Sequence, residues 1–333
     1  IVGRDLEGDA VVPRETPGLL PPPPVPADAS PLEVAESLAA AERLTPGIRE
    51  GLEKEIVWAG ETGARTPLSL VYLHGFSASK AELRPVPDRV AAALGANLFL
   101  TRLAGHGRDG EALANARASD WMLDTAEALA VGRALGERVL VMGTSTGAAL
   151  AAMAALEREG AERVAGYVLV SPNFGLEAAG ARVLTLPFAR HIAPLLLGET
   201  RAWTPRTPGQ AAGWTSEYPT EALVPMAAVA ESAYLADHGR PGAPALVLLS
   251  DRDRIVDAER TREVAERWGA MNGRVATLRV LEPGPGDDPD AHVLGGDALS
   301  PGLTEEMVAE ILAWAGRNDI APAEAVPPAP SND

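Results

Sequence analysis

An α/β fold, with a mostly parallel central sheet and helices on both faces, is predicted by three observations. Short apolar strands alternate with helical stretches over most of the chain, and that alternation is the signature of a sheet buried on both sides. One strand, Val139 to Met142, runs through Gly143-Thr144-Ser145-Thr146-Gly147 into an alanine-rich helix. A single interval of about 70 residues, Phe174 to Pro241, separates two buried-looking strands. That is far beyond the roughly 12 to 15 residues at which a plain loop becomes uncommon.

Taken in order, residues 1–30 carry Pro13, Pro17, Pro21 to Pro24 and Pro26. Proline has no N–H for a helix or a ladder, so this stretch reads as a semi-rigid arm or linker. The spacing of Leu32, Val34, Leu38 and Leu44 predicts a short amphipathic helix from Pro31 to about Arg49. Strands are expected at Ile56 to Trp58, Leu68 to Leu73, Asn97 to Thr101, Val139 to Met142, Val164 to Val170, Ala245 to Ser250 and Val275 to Leu281. Helices are expected at Asp88 to Leu94, Trp121 to Leu135, Ala148 to Arg158, Asp257 to Trp268 and Thr304 to Gly316.

The long interval is apolar and aromatic enough (Val183, Leu184, Leu186, Phe188, Leu195 to Leu197, Trp203, Trp214, Tyr218, Leu223, Met226) to support helices of its own. Residues 174–242 are therefore read as a helical cap inserted between core halves at 31–173 and 243–318. Residues 319–333 repeat the proline pattern and are expected to be a solvated tail.

Composition narrows the partners. At 333 residues the chain is long enough to bury about three-quarters of its unfolded surface. A net charge of -17 repels a polyphosphate backbone, so nucleic acid is excluded as a partner, and no polybasic patch offers itself to an anionic membrane. No run approaches the roughly 18 to 20 apolar residues of a membrane span. With no cysteine, disulfides and thiolate chemistry are ruled out, but the compartment is not fixed, so cytoplasm and periplasm both remain open. The sequence starts at Ile1 and not at methionine, which leaves room for an upstream signal or anchor. Lys54 and Lys80 are the only lysines, a bias expected of bacterial coding.

The chemistry is concentrated in three segments. Ser145 is the candidate nucleophile, because a serine hydroxyl needs a strained turn that lifts it clear of the backbone to where a base can reach it. Gly143 and Gly147 remove the Cβ atoms that would collide in such a turn. Asp253, just past the strand ending at Ser250, is the candidate carboxylate, with Asp251 and Asp257 as rivals; Asp257 precedes a helix and suits an N-cap. His292, at the end of the Gly- and Pro-rich loop from Pro283, is the candidate base. His74, His106, His191 and His238 are less suited, being in turns or beside the insertion. The acidic Asp287, Asp288 and Asp290 match a calcium loop poorly and read as solvated; no metal site is expected. Backbone N–H groups of Phe76, in the His74-Gly75-Phe76-Ser77 turn, and of Thr146 are the candidate oxyanion donors.

The order Ser145, Asp253, His292, the Gly-x-Ser-x-Gly elbow, the His74-Gly75 turn and Leu103-Ala104-Gly105-His106-Gly107 together resemble the α/β-hydrolase superfamily. Within it the chain is most similar to capped carboxylesterases and monoacylglycerol lipases grouped with serine aminopeptidases, over about residues 55–317. The resemblance implies an α/β-hydrolase fold and cofactor-free hydrolysis of a small-molecule carboxylic ester. It implies an oxyanion N–H at Phe76, a rim position near His106, and substrate contacts at Gly75, Ser77, His106 and Thr144. Thr144 and Thr146 stand where many relatives carry other residues, and their branched side chains are expected to narrow the approach to Ser145 and favour short acyl groups. An amidase, peptidase or acyltransferase using the same three residues, with Glu217 or Glu221 holding an amine, is one alternative. A non-catalytic binding protein is another.

Overall fold

A computed structural model describes residues 14–26, 28–178 and 180–320, and beyond these only a short antiparallel pairing of Gly3–Arg4 with Ala10–Val11. Along the chain the elements are α1 (Pro31–Leu44), β1 (Glu55–Val57), β2 (Thr66–Leu73), α2 (Val86–Ala93), β3 (Asn97–Leu100), α3 (Gly110–Asn115) and α4 (Ala118–Leu135). There follow β4 (Gly136–Thr144), α5 (Thr146–Ala154), α6 (Arg158–Ala161), β5 (Val164–Val170), α7 (Ala189–Leu197), β6 (Thr200–Ala202), α8 (Pro208–Gly213), β7 (Glu217–Pro219) and α9 (Leu223–Leu235). The chain finishes with β8 (Ala245–Leu249), α10 (Ala258–Arg267), β9 (Ala276–Val280) and α11 (Thr304–Arg317).

Seven strands form the central sheet in the order β9-β8-β5-β4-β2-β3-β1, all parallel except β1, which runs antiparallel to β3 at the edge. Successive side chains leave a strand on opposite faces, and the apolar runs supply both. Val71, Leu73, Val139, Val141, Val247 and Leu249 join one core cluster with Trp121 and Trp268. The intervening Leu70, Tyr72, Leu140, Met142, Leu246 and Leu248 join the other, with Trp314 of α11. A fully buried side chain of this size contributes about 1.5–3 kcal/mol, which is why a two-sided sheet can anchor a strained turn at the carboxyl end of its central strand.

Several local expectations shift for identifiable reasons. Ser30 and Glu33 form a capping box at the start of α1, but the helix stops at Leu44 and not near Arg49, because Pro46 disfavours helical backbone at Thr45 and Gly47 takes φ +74°. In α2, Pro87 is accommodated in the first turn, where its missing N–H is no loss, so the helix begins before Asp88.

The proline-rich arm is not a free linker over its described part. Glu15 accepts hydrogen bonds from Ala118 N–H (3.0 Å) and Arg190 Nε (3.1 Å), and Leu20 N–H reaches Glu157 at 2.9 Å. At the other end Ile320 is fully buried against the second core cluster, so the solvated tail expected from residue 319 does not begin there. Residues 1, 2, 5–9, 12, 13, 27, 179 and 321–333 lie outside the described set.

Between β5 and β8 the chain builds α7, α8, α9 and the antiparallel pair β6–β7; the helices were expected, the strand pair was not. Part of this segment belongs to the core. Phe174, and Met226, Val229 and Ala233 of α9, share the cluster that holds Tyr167 and Trp268. Leu184, Ala189, Ala193, Val224 and Ala227 form a separate small cluster above it.

Candidate active site

Ser145 stands at the junction of β4 and α5 with φ 52° and ψ -116°. That conformation costs a non-glycine residue about 1–3 kcal/mol, and the surroundings enforce it. Ser145 N–H donates to Val170 O at 2.9 Å, and its carbonyl accepts from Ala149 and Asn173 N–H, both at 3.1 Å. A Cβ on Gly147 would come within 2.1 Å of Leu73 O, and one on Gly143 within 2.6 Å of the Gly147 carbonyl. The turn closes only with glycine at both places.

Beyond the end of β8, Asp253 Oδ1 accepts the N–H groups of Ile255 (2.8 Å) and Val256 (3.0 Å), which fixes the carboxylate. Its other oxygen, Oδ2, receives a hydrogen bond from His292 Nδ1 at 2.8 Å. The two rivals are occupied elsewhere. Asp257 caps α10 through the N–H groups of Glu259 and Arg260, and Asp251 pairs with Arg262.

His292 is held from three sides. Asp288 Oδ2 accepts its N–H at 3.1 Å, Ser171 Oγ donates to its carbonyl at 2.7 Å, and Arg254 N–H ties the two loops by donating to Asp290 O at 2.9 Å. Burial works against a charged ring here, but the Asp253 carboxylate, with Glu82 and Asp288 further off, outweighs it and holds the His292 pKa above the ordinary 6.5. With Nδ1–H committed to Asp253, Nε2 is the ring atom left to act as base.

Ser145 and His292 both line a cavity of about 600 Å³. Among the described residues neither Ser145 Oγ nor His292 Nε2 forms a hydrogen bond; serine–histidine bonds of this kind often tighten only around a substrate. Leu176, Leu184, Leu197, Leu223, Met226 and Leu299 give the cavity an apolar wall. Phe76 also lines it, and among the described residues neither Phe76 N–H nor Thr146 N–H has an acceptor. Thr146 opens α5, so its N–H also lies at the positive end of that helix.

The remaining expected contacts divide. Ser77 lines the cavity; Gly75, His106 and Thr144 do not. His106 is fully buried against His74, Phe76 and Trp121, with Nδ1 on Ala104 O at 3.1 Å, and burial drives its pKa well below 6.5. It is a packing element beneath the Phe76 turn. Burial likewise takes His74 to about 4; its Nδ1 bonds Gly75 O and its Nε2 accepts from Leu103 N–H.

Thr144 is turned into the core, 3.2 Å from the Tyr72 hydroxyl. Since neither Thr144 nor Thr146 reaches the cavity wall, branching at these positions does not narrow the approach to Ser145. Glu217 and Glu221 do not line the cavity either, which removes the basis for an amine site there. The acidic loop is not a solvated cluster. Asp288 is 4% exposed and spends its oxygens on the N–H groups of Asp290, His292 and Val293, and Asp287 takes those of Gly284 and Gly302.

Sequence reading missed Glu82, Tyr72 and Arg206. Arg206 spans from the insertion to the His292 loop, reaching Asp288 at 3.0 Å and Asp290 at 2.7 Å. No local pattern announces such a bridge. Glu82 belongs to Ser79-Lys80-Ala81-Glu82, which has the spacing of a capping box, yet its carboxyl is directed into the site.

The profile of the alpha/beta hydrolase family matches residues 70–310, and the chain belongs to that family. No curated protein matches the sequence. Among solved structures it is similar to one from the work on LipS and LipT, two metagenome-derived lipolytic enzymes (TM-score 0.64, 20% identity, covering 81% of this chain and 99% of that one). It is also similar to the monoglyceride lipase of Saccharomyces cerevisiae (0.58, 13%, covering 90% and 99%) and to the monoacylglycerol lipase of Paleococcus ferrophilus (0.56, 15%, covering 80% and 99%). At these identities the likeness is one of fold.

Proposed function

We propose that this protein is a serine carboxylic-ester hydrolase that works through an acyl-enzyme on short- to medium-chain esters or monoacylglycerol-like substrates. The observation that carries the reading is the 2.8 Å bond from His292 Nδ1 to Asp253, in one cavity with a serine held at φ 52°. Neutral His292 takes the Ser145 proton as Oγ attacks the ester carbonyl, and then gives it to the leaving alcohol. The unpaired N–H groups of Phe76 and Thr146 receive the oxyanion. Water repeats the cycle on the acyl-enzyme. The insertion acts as a cap: Leu176, Leu184, Leu197 and Met226, all from it, supply apolar wall for the acyl chain.

Labelling with a fluorophosphonate, followed by a panel of p-nitrophenyl esters from acetate to palmitate beside an amide analogue, tests this. Labelling that vanishes in Ser145→Ala, with turnover best on short to medium esters, is expected. An intact protein that does not label favours a binding protein, and preferred turnover of the amide favours an amidase.

A further inference from the structure

Glu82 is a carboxyl group that the proposed mechanism does not use, yet it lies beside the nucleophile. It is 3% exposed and lines the cavity with Ser145 and Phe76. One of its oxygens is fully engaged: Oε2 accepts from Gly75 N–H at 2.7 Å and from the Tyr72 hydroxyl at 3.0 Å. Among the described residues the other oxygen, Oε1, has no hydrogen-bond partner. Its direction is fixed by Gly75, where a Cβ would lie 2.7 Å from Oε1 and 3.1 Å from Ser145 Cβ. The missing side chain leaves the carboxyl oxygen and the nucleophile facing a common space. Unlike the polar atoms sealed inside the protein without a partner, Oε1 keeps an opening onto the cavity, so a ligand hydroxyl can take the place of the water it would otherwise meet.

We propose that Glu82 determines substrate specificity, its Oε1 pairing with a hydroxyl group carried close to the scissile ester bond. This rests on the ester-hydrolase reading above and names its substrate class: esters of polyols, or esters of hydroxy acids. A hydroxyl both donates and accepts, so it meets the carboxyl in either protonation state; burial raises the Glu82 pKa, against the Gly75 bond, the nearby His292 and the Tyr72 bond. An unbranched hydrocarbon would leave Oε1 unpaired.

Two matched comparisons of kcat/KM test the inference and separate the two sources of hydroxyl. Ethyl butanoate against 2-hydroxyethyl butanoate probes the alcohol side, and ethyl butanoate against ethyl 3-hydroxybutanoate the acyl side. In the wild type one arm is expected to favour the hydroxylated ester by about tenfold or more. Glu82→Gln, which can still accept from Gly75 and Tyr72 and offers an amide to the hydroxyl, should keep most of that ratio. Glu82→Leu should bring it close to unity; if that variant does not fold, the wild-type and Glu82→Gln ratios still decide. A wild-type ratio near one in both arms, with ester turnover intact, overturns the inference and leaves the ester hydrolase standing. A preference undiminished in Glu82→Leu overturns it as well. Absence of turnover on all three esters, in a protein that also fails to label, strikes the hydrolase reading and this one together.

Discussion

The turn that carries Ser145 and the insertion that overhangs it are built by different means. Around the turn every wall is core: Leu73, Val141, Met142, Ala148, Ala149 and Val170 are fully buried, and the backbones pass too closely for a side chain at Gly147. The insertion instead sinks only Phe174 and α9 into the main core, rests elsewhere on small clusters, and leaves Leu186, Phe188, Leu195 and Leu196 exposed. Among its ties to the histidine loop are the half-exposed Arg206 on Asp288 and Asp290 and the packing of Trp214 with Val293. The difference teaches where precision is required. The nucleophile has to be held in a costly conformation, so it is set among atoms that cannot give way, whereas a substrate wall can be assembled from looser parts.

If that division is right, changes at the turn should remove activity and changes at the insertion should only alter it. Ser145→Ala is expected to lower kcat by about a millionfold, leaving only binding and the oxyanion donors, measured on p-nitrophenyl butyrate with folding checked by circular dichroism. Asp253→Asn should cost about ten-thousandfold by releasing the His292 ring from its tautomer. The same carboxylate raises the His292 pKa, and only the neutral ring is a base. Activity of the wild type should therefore fall as pH drops through a midpoint above the ordinary 6.5, and Asp253→Asn should move the residual midpoint down. A profile flat to about pH 5 would contradict the assignment of the base.

Trp314→Ala empties a fully buried site on the far face of the sheet. It should cost about 3–5 kcal/mol in denaturant unfolding, while the protein that remains folded keeps its kcat. Smallest of all, Arg206→Ala should destabilise the fold by less than about 1 kcal/mol, because the guanidinium is 43% exposed. Its effect should appear as a raised KM with kcat nearly kept. A large loss of kcat there would mean that the insertion helps to aim His292, and the contrast between the two regions would fail.

Much of this was legible in the chain itself. Seven strands and their order along the sequence follow from apolar runs such as Leu68 to Leu73 and Ala245 to Ser250, because a strand buried on both faces has no polar positions to hide its pattern. Ser145 was legible because its turn tolerates so few residues, and Asp253 and His292 because each follows the end of a strand. The limits have equally physical causes. His106 and Thr144 were expected near substrate from their neighbours in sequence, but the direction of a side chain at a turn depends on backbone angles that a motif does not encode. Thr144 meets Tyr72, and His106 meets Trp121.

What the sequence determined by itself is the fold and three candidate reactive groups, since hydrophobic period and the steric demands of a tight turn are local properties. What only the tertiary structure decided is which carboxyl groups serve them. Asp253 over Asp251 and Asp257 beside His292, Asp288 as the brace of His292, and Glu82 at the cavity wall each rest on a hydrogen bond to a partner four to 39 residues away. Such choices depend on where burial and unpaired donors meet in space, and no spacing along the chain records that.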